Sequence, residues 1–299
     1  MVTPSARRSA VDYLTKRYGL SQRKAAKVTG VCRGTLRYTP RAKNDDEALA
    51  ERIKRLAYRH PRYGLRRIEA LLRREGVRDN RKRLHRIWKA QGLSLRPRRR
   101  RRRKKEPGEI WRRAQYPDHV WSYDLMEDRT VHGGKLRILN VLDEYTREHL
   151  WVRFERSMPA AKVVEVLEWL FITRGGPEYI RSDNGPEFVA RAVKDWLSAN
   201  GVSTIYIEPG SPWENAYIES FNGKFRDECL KANEFEGVAD AQKLGNDWRR
   251  EYNEYRPHSS LGYRTPAEFA AEAARSPRTT SSSPLQPEGE PLKVTFELI

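Results

Sequence analysis

The pattern of apolar positions divides the chain into a helical part and an α/β part. Up to about residue 95, apolar residues recur every three or four positions, which is the spacing of one helical face. From residue 119 onward, short runs of β-branched, leucine and aromatic residues alternate with longer helical patterns. Their order, three strands followed by alternating helices and strands, predicts an α/β domain with a five-stranded mixed sheet behind small all-helical domains.

The first helical unit is predicted to lie within residues 11–38. Ser21 can cap a helix over 22–28, and Gly30 supplies a turn before a second short helix over 33–38. A small residue, a turn glycine and an aliphatic residue fall where a helix-turn-helix requires them. A generic basic helical hairpin fits the same pattern.

A second helical unit is predicted over residues 45–94. Its three amphipathic helices have apolar residues at Leu49, Ile53 and Leu56, at Ile68, Leu71 and Leu72, and at Leu84, Ile87 and Trp88. Asn80 can cap the third helix. The polar faces carry many arginines: Arg66, Arg67, Arg73, Arg74, Arg81 and Arg83. Arginines on a solvated face are common, but this density without acidic partners favours a second DNA-binding unit.

The α/β part predicts a definite order of elements. Strands are expected over 119–125, 136–142, 149–154, 178–182 and 202–207, and helices over 160–173, 188–199, 215–231, 239–256 and from 267. Residues 208–214 are a candidate mobile loop. The Ser- and Pro-rich stretch 275–291 is expected to be disordered, and no role is predicted for 293–299.

The charge is concentrated in the helical part. The formal net charge is +19, and residues 1–110 hold 35 Lys and Arg against 10 Asp and Glu. The remaining residues hold 24 basic and 30 acidic side chains. A polycation binds phosphate backbones by releasing counterions. An acidic membrane is a less favoured partner, because the sequence shows no amphipathic helix with a large apolar face. The partner is therefore expected to be nucleic acid.

Other classes of protein do not fit the composition. The two cysteines provide neither a disulfide framework nor a Cys-rich zinc site, and they fit a reducing cytoplasm. No apolar run is long enough for a membrane span, and the first ten residues have no apolar core of a secretory signal.

Residues 96–105 are nine basic residues and one proline. Such a block repels itself and is expected to be extended until it meets an anionic partner. We interpret it as a linker that also contacts phosphates, through Arg98, Arg99, Arg100 and Arg101. A nuclear-localisation signal has the same composition.

Three acidic residues are candidates for metal-dependent phosphodiester chemistry. Asp124 lies on the first predicted strand, Asp183 directly follows the fourth, and Glu219 lies on a predicted helix. Mg²⁺ prefers oxygen ligands, and two such ions can stabilise both the attacking and the leaving oxygen of a phosphodiester. If the two strands are neighbours, the aspartates meet at one sheet edge and the helix closes the site. A lone acid at a strand end, such as Asp143, is more often a turn residue.

The helix that carries Glu219 offers candidate DNA contacts. Asn222 and Arg226 follow Glu219 by three and seven residues and therefore share its face. Arg226 is expected to point toward bound phosphates. Lys224 lies about 140° around the helix from Glu219 and is predicted to be a less direct contact.

Four motifs together resemble a known family. They are Trp121-Ser122-Tyr123-Asp124, Ser182-Asp183-Asn184-Gly185-Pro186-Glu187-Phe188, the stretch Pro212 to Lys224, and Tyr255-Arg256-Pro257-His258. With His60-Pro61-Arg62-Tyr63-Gly64, they resemble the catalytic (orfB) proteins of bacterial insertion sequences, whose core is similar to retroviral integrases. The gap of 35 residues between Asp183 and Glu219 is typical of that family.

The resemblance implies a specific enzyme. It implies a ribonuclease H-like fold, two Mg²⁺ or Mn²⁺ ions, and Asp124, Asp183 and Glu219 as the catalytic and metal-binding triad. The activity implied is that of a DDE transposase, which cleaves DNA at element ends and joins the 3′-hydroxyl to another phosphodiester. A non-catalytic regulator of an element and a nuclease on the same fold are the alternatives.

The resemblance also implies an organisation and partners. We expect a helix-turn-helix-like domain (1–44), a second DNA-binding unit (45–95), an Arg-rich linker (96–112), the catalytic core (113–272) and a flexible tail (273–299). Double-stranded DNA is the expected partner, bound by a homo-oligomer in the cytoplasm at the nucleoid. In this family a frameshift often fuses an upstream frame to this one, so recognition of element ends is expected to lie partly in such a fusion partner.

Overall fold

The structure is a computed structural model that describes residues 3–37, 45–95, 113–182, 191–206 and 215–275. Several predictions fall outside these residues. They concern the Arg-rich linker with Arg98, Arg99, Arg100 and Arg101, the candidate ligand Asp183, the loop 208–214, and the tail from 276.

The first unit contains three helices, α1 (Pro4–Tyr18), α2 (Gln22–Thr29) and α3 (Arg33–Arg37). The predicted cap is present, because Ser21 Oγ accepts a hydrogen bond from the Lys24 amide at 3.4 Å. Gly30 ends α2 with a φ of 64°, a conformation that favours glycine. The hydrophobic pattern does not predict the start of α1, because Val11 is buried while most of its neighbours on the helix are exposed.

The second unit also contains three helices, α4 (Asp46–Arg59), α5 (Leu65–Arg74) and α6 (Arg81–Ala90). Asn80 Oδ1 caps α6 by accepting from the Lys82 amide at 2.9 Å. All nine predicted apolar positions are buried in one cluster, against which Tyr255 of the α/β part also packs. The amphipathic pattern is therefore confirmed, and it already includes one contact with the rest of the chain.

The α/β part contains the predicted sheet. Its strands are β1 (Val120–Arg129), β2 (Lys135–Asp143), β3 (His149–Glu155), β4 (Tyr179–Ser182) and β5 (Ser203–Tyr206), in the spatial order β3-β2-β1-β4-β5. β1 pairs antiparallel with β2 and parallel with β4. The first and fourth strands are therefore neighbours, as the candidate site requires.

Helices cover both faces of the sheet. They are α7 (Ala160–Arg174), α8 (Arg191–Ala199), α9 (Ala216–Glu228) and α10 (Val238–Glu254), and α11 (Pro266–Arg275) packs against α10. Successive side chains of β1 point to opposite faces of the sheet. Trp121 and Tyr123 pack in the cluster with α7 and α8, whereas Met126 packs in the cluster with α9 and α10. Asp124 shares the parity of Met126 and therefore lies on the face that α9 covers.

The second helical unit docks on the end of α10. His60 Nδ1 lies 3.0 Å from Glu251 Oε1, and Arg74 Nη1 donates to the Tyr255 carbonyl at 2.9 Å. The rings of His60 and Tyr255 also stack at 5.1 Å. The motifs at residues 60–64 and 255–258 therefore meet each other at an interface within the chain.

Candidate active site and nucleic-acid surface

Asp124 and Glu219 lie on adjacent elements of the described structure. Asp124 is half-buried on β1, and Glu219 is exposed on α9 in the turn before Asn222. β4 ends beside β1 at Ser182, and the next residue in the sequence, Asp183, is outside the described residues. The structure thus places two of the three candidate carboxylates, together with the strand that leads to the third.

Both oxygens of the Asp124 carboxylate accept a hydrogen bond from described residues. The Leu125 amide donates to Oδ1 at 2.8 Å, and Asn222 Nδ2 donates to Oδ2 at 2.6 Å. Because Asn222 follows Glu219 by one helical turn, the second bond fixes the helix that carries Glu219 against the strand that carries Asp124. Asn222 was expected to share the face of Glu219, and its bond to Asp124 gives that position a structural role.

Asn222 is itself oriented by a chain of buried hydrogen bonds. Asn140, which pairs with Asp124 across β1 and β2, donates through Nδ2 to Asn222 Oδ1 at 3.0 Å. His149 Nε2 lies 3.1 Å from Asn140 Oδ1. Each of these hydrogen bonds has one donor and one acceptor if His149 donates to Asn140, Asn140 donates to Asn222, and Asn222 donates to Asp124.

His149 ends this chain as a neutral imidazole. Complete burial, reinforced by the charge of Arg249, lowers the pKa of His149 well below its usual value. Its ring packs among Phe221, Trp248 and Tyr252. A neutral ring with its proton on Nε2 is the form that the chain of bonds requires.

A second buried network supports the strand that leads to Asp183. Arg181 on β4 donates through Nε to Glu144 Oε1 at 2.8 Å, and Ser122 on β1 hydrogen-bonds the same carboxylate. Burial raises the pKa of Glu144 although Arg181 opposes the shift. Nothing in the apolar pattern predicts this network, because charged residues at strand ends usually face solvent.

Asp143 is structural, as the sequence predicts. It is fully buried at the end of β2 and accepts hydrogen bonds from the Tyr145 amide and from Thr146 Oγ1. Burial raises its pKa to about 6.

The donor set at Asp124 and Glu219 fits a divalent metal. Both residues offer carboxylate oxygens, which Mg²⁺ and Mn²⁺ prefer. Within the described residues, no group of three His, Cys, Asp or Glu side chains is arranged to hold a metal ion. Asp124 and Glu219 are therefore the two carboxylates that the described structure offers here.

Comparison with known proteins identifies the family. Models of an integrase core domain match residues 114–212 and 200–266, and a model of an HTH-like domain matches residues 43–102. A protein of insertion element IS407 from Burkholderia multivorans is 38% identical over 91% of this chain and 96% of its own length. One of insertion element IS476 from Xanthomonas euvesicatoria is 37% identical over 96% of this chain and 82% of its own length. The chain belongs to the insertion-element transposases.

A more distant relative agrees with this assignment, and a solved structure shows the fold. The transposase of insertion sequence element IS904 from Lactococcus lactis is 26% identical over 75% of this chain and 93% of that protein. The simian T-cell lymphotropic virus intasome structure shares 17% identity, with a TM-score of 0.50 over 82% of this chain and 80% of that one. The transposase thus has the integrase-type, ribonuclease H-like fold. No helix in its described ranges is long and apolar enough to cross a membrane.

The prediction that the arginines of the second unit lack acidic partners is wrong. Most of them form ion pairs: Arg73 and Arg81 with Glu69, Arg74 with Glu268, Arg67 with Glu228, and Arg83 with Asp45, Asp46 and Asp79. Arg83 has a side chain only 11% exposed, so its guanidinium is largely covered and ties together three acidic side chains. Arg66 is exposed and has no ion pair within the described residues.

A basic groove nevertheless lies beside the interface between the second unit and the core. Its volume is about 590 Å³, and its lining includes Arg62, Arg66, Arg67, Arg81, His85, Leu95, Ser259 and Tyr263. Leu95 is the last described residue before the Arg-rich linker. Arg62 and His85 were not among the predicted contacts, and His85 comes near Arg66 through the packing of α6 against α5.

Arg226 and Lys224 differ in environment. Arg226 is exposed on α9 and has no ion pair within the described ranges. Lys224 is half-buried and donates to the carbonyl and hydroxyl oxygens of Ser220 at 3.0 and 2.9 Å. Burial lowers the pKa of Lys224 to about 8, with a further contribution from Arg256.

Proposed function

We propose that the transposase cleaves DNA at the ends of its element and joins the 3′-hydroxyl to another phosphodiester, with Asp124, Asp183 and Glu219 as its catalytic and metal-binding triad. The observation that carries the proposal is the 2.6 Å bond from Asn222 to Asp124. It brings the Glu219 helix onto the strand of Asp124, as a shared metal site requires.

The strand register supports the inclusion of Asp183. Paired residues of β1 and β4 differ by 59 in number, as Ser122 and Arg181 do. The same offset applied to Asp124 gives residue 183. The buried bond between Arg181 and Glu144 fixes the strand directly before that position.

Two Mg²⁺ or Mn²⁺ ions, when bound, would stabilise the attacking and leaving oxygens of the phosphodiester. The protein residues supply orientation. Asn222 and the Leu125 amide fix the plane of the Asp124 carboxylate, and Glu219 remains exposed for a ligand. A carboxylate held in this way loses less conformational freedom when it binds a cation.

DNA is proposed to approach along the basic side of the molecule. Arg226 lies on the face of Glu219, and Arg66, Arg67 and Arg81 line the groove beside Leu95. The linker arginines Arg98, Arg99, Arg100 and Arg101 continue from there in sequence, and Lys224 serves as a further contact. We propose that the working form is a homo-oligomer on two DNA ends at the nucleoid, with an upstream-frame fusion partner contributing recognition and with the five domains bounded as the sequence predicts.

A strand-transfer assay tests this proposal. Purified protein, labelled element-end DNA, Mg²⁺ and a target plasmid should give joined product, and Asp183→Asn should abolish joining while leaving DNA binding unchanged. Cleavage without joining would support a nuclease instead. DNA binding without any reaction, in both this chain and its upstream-frame fusion, would support a regulator.

A further inference from the structure

A cavity of about 280 Å³ flanks the active-site face of α9. Its apolar wall is formed by Leu142, Ala216, Tyr217, Phe221 and Tyr252. Ser220, which also lines it, directly follows Glu219 and is about 100° around the helix from it. The cavity therefore lies next to the turn of α9 that carries Glu219.

The rim of the cavity is cationic. Lys224 and Arg147 line it, and the Arg147 guanidinium lies 3.7 Å from the centre of the Tyr217 ring. The charges of Arg256, Arg67 and Arg147 all act to lower the pKa of Lys224, and Glu228 opposes them. This excess of cations around a half-buried lysine favours an anionic ligand.

Two polar atoms at the cavity have no hydrogen-bond partner among the described residues. They are Arg147 Nη1, which can donate, and His258 Nε2. His258 is 4% exposed, and its environment of burial and nearby cations lowers its pKa to about 2, so its ring is neutral. Its other ring nitrogen bonds to the backbone of Tyr252, which leaves Nε2 as an acceptor.

These features describe a ligand with three parts: an anionic group for Lys224 and Arg147, a flat apolar body for the aromatic wall, and a hydrogen-bond donor for His258. A nucleotide with an exocyclic amino group has all three, and its base and sugar fit the volume. We propose that this cavity receives one unpaired nucleotide of the DNA strand, with its phosphate at Lys224 and its base against Tyr217 and Phe221. The inference rests on the proposed function in that DNA is the substrate.

Affinity for DNA with one unpaired position tests the proposal. Removing a base's partner lowers the cost of taking the base out of the stack, so a protein that binds an extruded base should bind that DNA more tightly. The test uses a series of element-end duplexes, each with one mismatch at a different terminal position. The affinity of the protein for each is compared with its affinity for the fully paired duplex, by fluorescence anisotropy without added metal. We expect about tenfold tighter binding at one position, and loss of that gain when the unpaired nucleotide there is abasic.

Two variants separate the cavity from the rest of the surface. Ser260→Phe should fill the cavity and remove the gain from the mismatch, while affinity for the paired duplex stays within about twofold. Ser198→Phe, on the exposed face of α8 across the sheet, is the matched control and should keep the gain. Lys224→Met, which leaves the cavity open, should reduce the gain, and Lys224→Arg should retain it.

Two results would overturn the proposal. One is that the wild type binds every mismatched duplex with the same affinity as the paired duplex. The other is that the gain in affinity from a mismatch persists in both Ser260→Phe and Lys224→Met. Inorganic phosphate that competes equally with paired and mismatched DNA would show a simple anion site instead. Because the readout is binding, a failure of strand transfer would count against the proposed function and not against this cavity.

Discussion

Asn222 on α9 donates a 2.6 Å hydrogen bond to Asp124 on β1, and the same amide accepts one from Asn140. The side chain can satisfy both only with its nitrogen toward Asp124. The orientation of a candidate metal ligand is therefore fixed from within the core, through a chain that ends at His149. This arrangement links the proposed catalytic residue Asp124 to buried residues of the core.

Replacing Asn140 should impair catalysis more than DNA binding. In Asn140→Leu, the Asn222 amide loses the donor that fixes its orientation and can turn its oxygen toward Asp124. We expect strand transfer to fall about tenfold or more, equivalent to about 1.4 kcal/mol, with DNA affinity unchanged. Asn200→Leu, an exposed amide at the end of α8, is the control. Equal activity of the two variants would show that the orientation of Asn222 does not depend on Asn140.

His149 should make the fold sensitive to acid. Its pKa in the folded state lies below the unfolded value of about 6.5, so the unfolded chain gains a proton that the folded chain excludes. The wild type should therefore lose stability relative to His149→Gln as pH falls from 7 to 5, by up to about 1.4 kcal/mol per unit below pH 6.5.

Denaturant unfolding of both proteins across this pH range measures the difference. Asp143 has a raised pKa and changes stability in the opposite direction, but it is present in both proteins and cancels. A constant difference in the free energy of unfolding between pH 5 and 7 would contradict a buried neutral His149.

Arg256 should be essential to the fold because it forms a bidentate ion pair with Glu228. Its Nε and Nη2 both donate to this carboxylate at 2.6 Å, and both side chains are largely buried. Arg256→Met should lower the free energy of unfolding by about 3–5 kcal/mol, since the largely buried Glu228 charge then loses two short hydrogen bonds and keeps the 3.5 Å contact with Arg67. Arg256→Lys should not restore it, because lysine lacks the planar fork.

The exposed pair of Arg250 and Asp247 provides the control for this prediction. Arg250→Met should change stability by no more than about 0.5 kcal/mol. Thermal unfolding compares the three variants. Similar losses for Arg250→Met and Arg256→Met would mean that the buried pair contributes no more than a surface one.

Gly245 should tolerate no side chain where α10 crosses β3. A Cβ atom there would lie 3.1 Å from Phe154 Cζ and closer still to Cε2. Gly245→Ala should destabilise by about 1–3 kcal/mol. Gly223→Ala on α9, where a Cβ atom meets nothing within 4 Å, should be neutral or stabilise by up to about 1 kcal/mol. Chemical unfolding that ranks the two in the reverse order would contradict this packing.

The elements of the fold follow from the sequence because their signals are local. The spacing of Ile68 and Leu72 predicts α5, and Asn80 predicts where α6 begins. The expectation that Asp124 and Asp183 come together depends on β1 and β4 being adjacent, and the structure confirms that β1 and β4 pair.

Features that depend on distant partners could not be predicted. The acids that pair with Arg83 and Arg67 lie up to 161 residues away, so a count of charge along the helices mistakes structural arginines for free ones. Asn140 and His149 are polar residues within strands, where a polar position normally indicates a solvated face. Only the three-dimensional packing shows that both are buried and bonded to each other.

Strand transfer by Glu219→Gln tests the central claim most directly. This change keeps the size and exposure of the side chain on α9 and removes its charge. The account predicts that Glu219→Gln binds element-end DNA like the wild type and yields no joined product in Mg²⁺, while Glu234→Gln, an exposed acid beyond α9, joins normally. Joined product from Glu219→Gln at the wild-type rate would contradict the assignment of Asp124, Asp183 and Glu219 as the catalytic triad.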